Sequence, residues 1–161
     1  MKAADRELKT ILDRTKSIAM VGVSANPVRP SFFVGRYLTQ KGYQVHPVNP
    51  VYDGQRLFGA DVRKSLKALR KSGKRVEMVD IFRKSEDALP VVEEALEQFL
   101  GRGLQTIWMQ IGVENKKAAK LARAEGLTVV MNRCPKIEYQ RLFGELGIGG
   151  FNTGVITSRL R

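Results

Sequence analysis

At 161 residues with 43% hydrophobic side chains, the chain suits one globular domain with its own core, and no apolar run reaches the roughly 20 residues that span a bilayer. A single cysteine excludes an internal disulfide, and the charged start Met1-Lys-Ala-Ala-Asp-Arg-Glu-Leu8 lacks the apolar centre of a secretory signal, so a cytoplasmic protein is expected. The 28 Lys and Arg against 16 Asp and Glu leave a formal charge of +12, a field that draws polyanions of every kind.

Leu8, Ile11 and Leu12 stand at i, i+3 and i+4 and predict a helix over 3–14. The apolar run from Ile18 predicts a first strand over 17–23, which reaches Gly22 and a loop carrying Ser24, Asn26, Arg29 and Ser31. Phe33, Val34, Tyr37 and Leu38 share one face of a helix over 30–41, with Gly42 at the position after its C-cap. The second strand, 43–49, contains Pro47, which cannot donate to a ladder and is expected near a strand end or an irregularity. A loop over 51–60, with a short extended piece at Leu57 and Phe58, leads to a helix over 62–71.

The third strand spans 75–82. The helix after it is the clearest in the sequence, with Ser85 placed to cap it, Pro90 tolerable in its first turn, and its end near Leu100. A fourth strand over 106–111 breaks at Gly112, a helix over 115–125 closes at Gly126, and a fifth strand runs 127–131. A helical turn or two is expected over 135–143, then a glycine-rich, loop-like tail. The densest charge cluster, Arg63 to Arg75, has no aromatic residue to stack a base and reads as a solvated helix face, so nucleic acid is not the expected partner.

Strands alternating with helices, and strands apolar on both faces, predict an α/β fold. We expect a doubly wound, Rossmann-like parallel sheet of five strands in the order 3-2-1-4-5, helices on both faces, forming one domain over 1–161. Within it, 1–15 would be an N-terminal helix and 143–161 the tail. Ligands of such sheets sit outside the carboxyl ends of the strands, here expected at the switch between strands 1 and 4. Those ends deliver Gly22 and Ser24, Asn49-Pro50, Phe82-Arg83-Lys84, Gln110-Ile-Gly112 and Asn132-Arg-Cys-Pro-Lys136. The dinucleotide fingerprint is incomplete: Gly22 is the only glycine of its set, and Asn49 stands where an acid would hold a ribose. An anionic ligand using Ser24, Arg29 and the helix N-terminus fits better than NAD.

Val21-Gly-Val-Ser-Ala-Asn-Pro-Val-Arg-Pro-Ser31, Pro47-Val-Asn-Pro50, Asp80-Ile-Phe-Arg83, Trp108-Met-Gln-Ile-Gly112 and Val130-Met-Asn-Arg-Cys-Pro-Lys-Ile-Glu138 together resemble the small bacterial CoA-binding proteins. These are single Rossmann-like domains similar to the CoA-binding domain of the succinyl-CoA synthetase α subunit. The resemblance implies that CoA or an acyl-CoA is the cofactor. The loop at Gly22, Val23, Ser24, Arg29 and Ser31 would hold its phosphates, and Asn49 and Pro50 would face the nucleotide. Phe82 would lie against adenine or pantetheine, or else in the core, two options evenly balanced. Arg83 would pair with a phosphate, and Gln110, Gly112 and Asn132 would border the end of the pantetheine arm.

The synthetase relatives depend on a phosphorylated histidine in a further domain, and His46 matches no such motif. No Ser-His-Asp set, carboxylate pair or metal cluster is visible, so a binding module without catalysis is expected. The alternatives are a nucleotide-dependent, NAD(P)-using oxidoreductase or an acyl-CoA transferase in the same cleft, and an RNA-associated basic protein. The expected partner is a small-molecule nucleotide and not a membrane, with monomer and homodimer both open. Cys134, between Arg133 and Pro135, is open to two readings: a thiolate near the CoA thiol, or a packed thiol.

Overall fold

The computed structural model describes residues 1–144. Its strands are β1 (Ser17–Val21), β2 (Gln44–Val48), β3 (Arg56–Leu57), β4 (Ala60–Asp61), β5 (Met78–Ile81), β6 (Thr106–Met109) and β7 (Thr128–Val130). Its helices are α1 (Ala3–Arg14), α2 (Pro30–Gln40), α3 (Leu66–Lys71), α4 (Ala88–Phe99), α5 (Lys116–Ala124) and α6 (Pro135–Leu142). The glycine-rich tail expected from Phe143 falls, beyond Gly144, outside the described residues.

Five strands form a wholly parallel sheet in the order β2-β1-β5-β6-β7. This is the predicted doubly wound α/β fold, but its order corrects the expectation: counted along the chain the five run 2-1-3-4-5 and not 3-2-1-4-5. Pro47 supplies the physical reason. Gln44 and Val48 bond across to β1, through Gln44 N–H to the Lys16 carbonyl and the Val48 carbonyl to Gly22 N–H, both at 2.8 Å. Residues alternate along a strand, so Pro47 turns its hydrogen-less nitrogen to the outer side, where another long strand would need a donor. Only its carbonyl is used there, accepting from Arg63 N–H at 3.1 Å. β2 is therefore an edge, and β5 takes the central place beside β1, with Val21 opposite Ile81.

The crossover from β1 to β2 runs one way along the sheet, and the next runs back past β1 to β5. Right-handed connections then put α2 and α3 on opposite faces. Ala19, Val21, Val79, Ile81, Ile107 and Met109 turn to the α3 side, where Leu69, Val92, Phe99, Ala118 and Ala122 close over them. Burying one such side chain of Val or Leu size contributes about 1.5–3 kcal/mol. Trp108, in β6, is fully buried, and its Nε1–H donates to the Arg133 carbonyl at 2.8 Å.

Local boundaries follow local bonds. The helix expected from residue 62 starts at Leu66, because Val62 and Arg63 stay extended: Val62 N–H donates to Gln55 and Asn49 N–H donates to the Arg63 carbonyl. Ser65 then caps α3, its Oγ accepting from Ala68 N–H at 3.0 Å. Phe58 and Gly59, at φ 57° and 79°, make the tight turn between β3 and β4. The Phe58 ring fills the space that a side chain on Gly35 of α2 would need.

By contacts the chain forms two compact units. Thr15–Cys134 holds the whole sheet, and Met1–Arg14 joins residues 135–144. In the second unit Arg141 donates to Asp5 at 2.8 Å and to Glu138 at 2.6 Å, and both carboxylates hold the guanidinium pKa above its ordinary value. Tyr139 and Phe143 stack at 4.4 Å. Among the described residues, no helix is long and apolar enough to cross a membrane.

Candidate functional site

The reversal of strand order lies between β1 and β5, so the crevice of the fold opens where those two strands end, and not between the first and fourth strands as expected. Gly22, just past β1, has φ +93°, and a Cβ there would stand 2.2 Å from the Phe82 carbonyl oxygen and 3.3 Å from the Arg83 side chain. No L side chain fits. The two exits are thereby pressed together, which puts Arg83 over the start of the β1 loop.

That loop is held by its own polar side chains. Ser31 Oγ accepts from Ser24 N–H at 2.9 Å, Ser24 Oγ accepts from Asn26 N–H at 3.0 Å, and Asn26 Oδ1 accepts from Val28 N–H at 3.1 Å. Tyr52, which the sequence reading missed, brings its hydroxyl to 3.4 Å from Ser24 Oγ. Val23 is fully buried, and its carbonyl accepts from Asn49 Nδ2 at 2.9 Å. The other end of the Asn49 amide accepts from Val51 N–H at 3.0 Å. Asn49 is buried with both ends engaged, so its side chain joins the first loop to the second, and Pro50 beside it is exposed.

What remains open is backbone and cation. Arg29 is exposed at the N-cap of α2; no side chain caps this helix, no acid lies in its first turn, and Pro30 occupies its first position. The result is a positive helix end with a guanidinium beside it. Among the described residues Arg29, Arg83 and Lys84 have no ion-pair partner.

A cavity of about 350 Å³ lies between the exits of β5 and β6. Phe82, Arg83 and Lys84 line it from one side, and Gln110, Ile111 and Gly112 from the other. Gln110 is 7% exposed, and its Oε1 has no hydrogen-bond partner among the described residues. Gly112, at φ +87°, has open space around it, and its N–H donates to Asn132 Oδ1 at 2.8 Å. Asn132 itself sits at φ +59°, so this residue ties the fifth exit to the fourth. Phe82 is half-buried and lines the cavity. Val28, Val51 and Ile111, on the loops after β1, β2 and β6, are exposed by 73%, 75% and 56%. Three large apolar side chains on the loops of one sheet edge give a ligand's apolar part something to cover.

Ser85 departs from its expected role. It opens a short 3-10 turn, and its hydroxyl donates to the Gly112 carbonyl at 3.2 Å and accepts from Glu114 N–H at 2.9 Å. It thus fixes the far wall of the cavity, and α4 begins at Ala88 without a side-chain cap. Asp80, two residues before Phe82, lies at the centre of the sheet with no exposure and no partner for either oxygen. Burial raises its pKa well above the usual carboxylate range, which favours the neutral acid over the carboxylate. The only hint in the sequence was an acid within an apolar strand. Cys134 is 5% exposed, which fits the packed thiol of the two readings. His, Cys, Asp and Glu form no group of three able to hold a metal ion among the described residues.

Comparison with known proteins adds a family. The CoA binding domain family matches residues 16–140 of the chain. The uncharacterized protein YneT of Bacillus subtilis is 35% identical over 133 residues, which cover 83% of this chain and 92% of that one. The solved structure of cell-free ID.343 from Thermus thermophilus shares 34% identity at a TM-score of 0.75, covering 89% of this chain and 100% of the other. A hypothetical protein from Pyrococcus horikoshii shares 36% identity at a TM-score of 0.78, covering 87% and 92%.

Proposed function

Because the chain belongs to the CoA binding domain family, we propose that it binds CoA or an acyl-CoA outside the carboxyl ends of β1, β5 and β6, and that it acts by binding and not by turnover. The observation that carries this is the junction at Gly22, where the β5 exit closes directly onto the β1 loop and leaves the cations Arg29, Arg83 and Lys84 without ion-pair partners among the described residues, beside an open helix end. CoA brings a pyrophosphate and a ribose phosphate, and those groups need such a surface. The phosphates would take the α2 N-terminus, Arg29 and Arg83. The pantetheine arm would run along Phe82 and Ile111 to Gln110, whose Oε1 would gain an amide N–H as partner.

Ser24, Ser31 and Asn49 shape this site, since their oxygens hold backbone N–H groups, and the Ser31 hydroxyl keeps its hydrogen to donate. The two groups nearest to reactive chemistry, Asp80 and Cys134, are buried at 0% and 5% exposure, which supports a binding role. An NAD(P)-dependent reading has less support, because Asn49 replaces the ribose acid and spends its amide internally.

A thermal-shift panel of CoA, acetyl-CoA, NAD, NADPH and ATP tests the proposal. At one hundred times its dissociation constant a ligand adds about 2.7 kcal/mol, so CoA or acetyl-CoA should raise the melting temperature by several degrees. Protection by NADPH with none from CoA or acetyl-CoA would refute the assignment.

A further inference from the structure

The larger cavity of the sheet domain is elsewhere. About 620 Å³ in volume, it lies along the outer side of the edge strand β2, under the β3–β4 hairpin and beside the loop that leads to β5. We propose that this cavity is a second ligand site, for a small phosphate-bearing molecule with an aromatic portion, separate from the site at the carboxyl edge.

Charge is the first argument. Arg56, Arg63, Lys74 and Arg75 line the cavity, against Asp61 as the only acid. Asp61 is shared between Arg56 at 2.9 Å and Arg63 at 3.6 Å, so one carboxylate serves two guanidinium groups. Arg75 reaches Glu77 only at 3.7 Å, and Lys74 has no ion-pair partner among the described residues. Cations held this close without matching acids repel one another, and a bound phosphate relieves that repulsion.

The second argument is His46. It lines the cavity, is 7% exposed, and its Nε2 has no hydrogen-bond partner among the described residues. A buried polar nitrogen left without a partner is costly, and a turn of the ring toward the cavity would let a phosphate oxygen supply one. Burial, and then the charge of Lys74, lowers the imidazole pKa from its ordinary value. The third argument is shape. Half-buried Phe58 puts aromatic surface on the wall, buried Tyr43, Val45 and Leu69 back it, and the volume lies within the roughly 300–1,000 Å³ of small-molecule sites. The Phe58 ring is fixed in place, since it occupies the notch left by Gly35.

The chain contains a single histidine, so its Cε1–H resonance reports on this cavity alone. Full-length protein would be titrated with inorganic pyrophosphate, with ADP and with adenosine while that proton is followed by NMR. We expect saturable shifts with pyrophosphate and ADP, ADP at least tenfold tighter, and none with adenosine. Lys74→Glu and Arg63→Gln should each weaken ADP tenfold or more, whereas the double variant R29A/R83A, altered at the carboxyl edge, should leave the histidine titration unchanged. If R29A/R83A removes the shift instead, the histidine senses the other site and the proposal fails. It fails equally if the shift never saturates, if it survives both Lys74→Glu and Arg63→Gln, or if affinity for single-stranded RNA exceeds that for ADP and grows with oligonucleotide length.

Discussion

The loop after β1 and the exits of β5 and β6 meet at one crevice, yet they treat their polar groups in opposite ways. In the first loop the hydroxyls of Ser24 and Ser31 hold backbone N–H groups of the loop itself, and the amide of Asn49, from the loop after β2, holds the Val23 carbonyl and the Val51 N–H. At the other exits, among the described residues, Arg83 and Lys84 have no ion-pair partner and Gln110 Oε1 has no hydrogen-bond partner. One region spends its polar side chains on its own shape, and the other keeps them for something else. A polar residue at a strand end is therefore no evidence of ligand contact until its bonds have been counted.

That contrast can be broken by substitution. Gly22→Ala should do the most damage, because the new Cβ meets the Phe82 carbonyl and the backbone stays at φ +93°. We expect a loss of about 3 kcal/mol in urea unfolding; a loss under about 0.5 kcal/mol would mean that the two exits are not pressed together.

Asp80→Asn tests the strand beneath the same junction. The folded carboxyl has a raised pKa, so between the unfolded value of about 3.9 and the folded value the native state binds more protons than the unfolded chain. Stability due to this group is complete below that window and is lost as pH rises through it. Asp80→Asn should be more stable than the parent at neutral pH and should remove that decline, read from urea midpoints at a series of pH values. Equal pH dependence in both proteins would contradict the sealed, neutral acid.

Arg83→Ala and Arg29→Ala should each weaken CoA about tenfold by calorimetry while the unfolding midpoint of the free protein stays put. Ser31→Ala should do the reverse: about 1 kcal/mol of stability lost with CoA affinity within about threefold, since Ser31 acts on the loop. If Ser31→Ala costs as much affinity as Arg83→Ala, the division of labour between the two regions is wrong.

Much of the fold could be read from local signals. The apolar spacing at Leu8, Ile11 and Leu12 placed α1 at its observed ends, and Gly42, at φ +99°, follows α2 where a glycine was expected. Strand order was another matter, because adjacency of β1 and β5 leaves no trace in either segment. Pro47 was the one clue, since a residue lacking its N–H belongs on an edge, and it argued against a central β2. Ser85 shows the limit of capping rules: the right residue type sat before a helix, but its hydroxyl had a nearer acceptor at Gly112. Asn49 shows the same limit at the site. Which of its possible partners an amide takes depends on a loop that folds against it from elsewhere in the chain.

Trp108 has a practical consequence. It is the only tryptophan, it is fully buried in β6, and its indole N–H is held by the Arg133 carbonyl. Its emission should therefore be short in wavelength when the protein is folded and shift to the red in a single step as β6 comes apart. The strand that carries it ends at Met109, one residue before Gln110, so occupancy of the cavity there should change its brightness. The protein thus contains an optical gauge that needs no added dye, placed one strand away from the junction at Gly22.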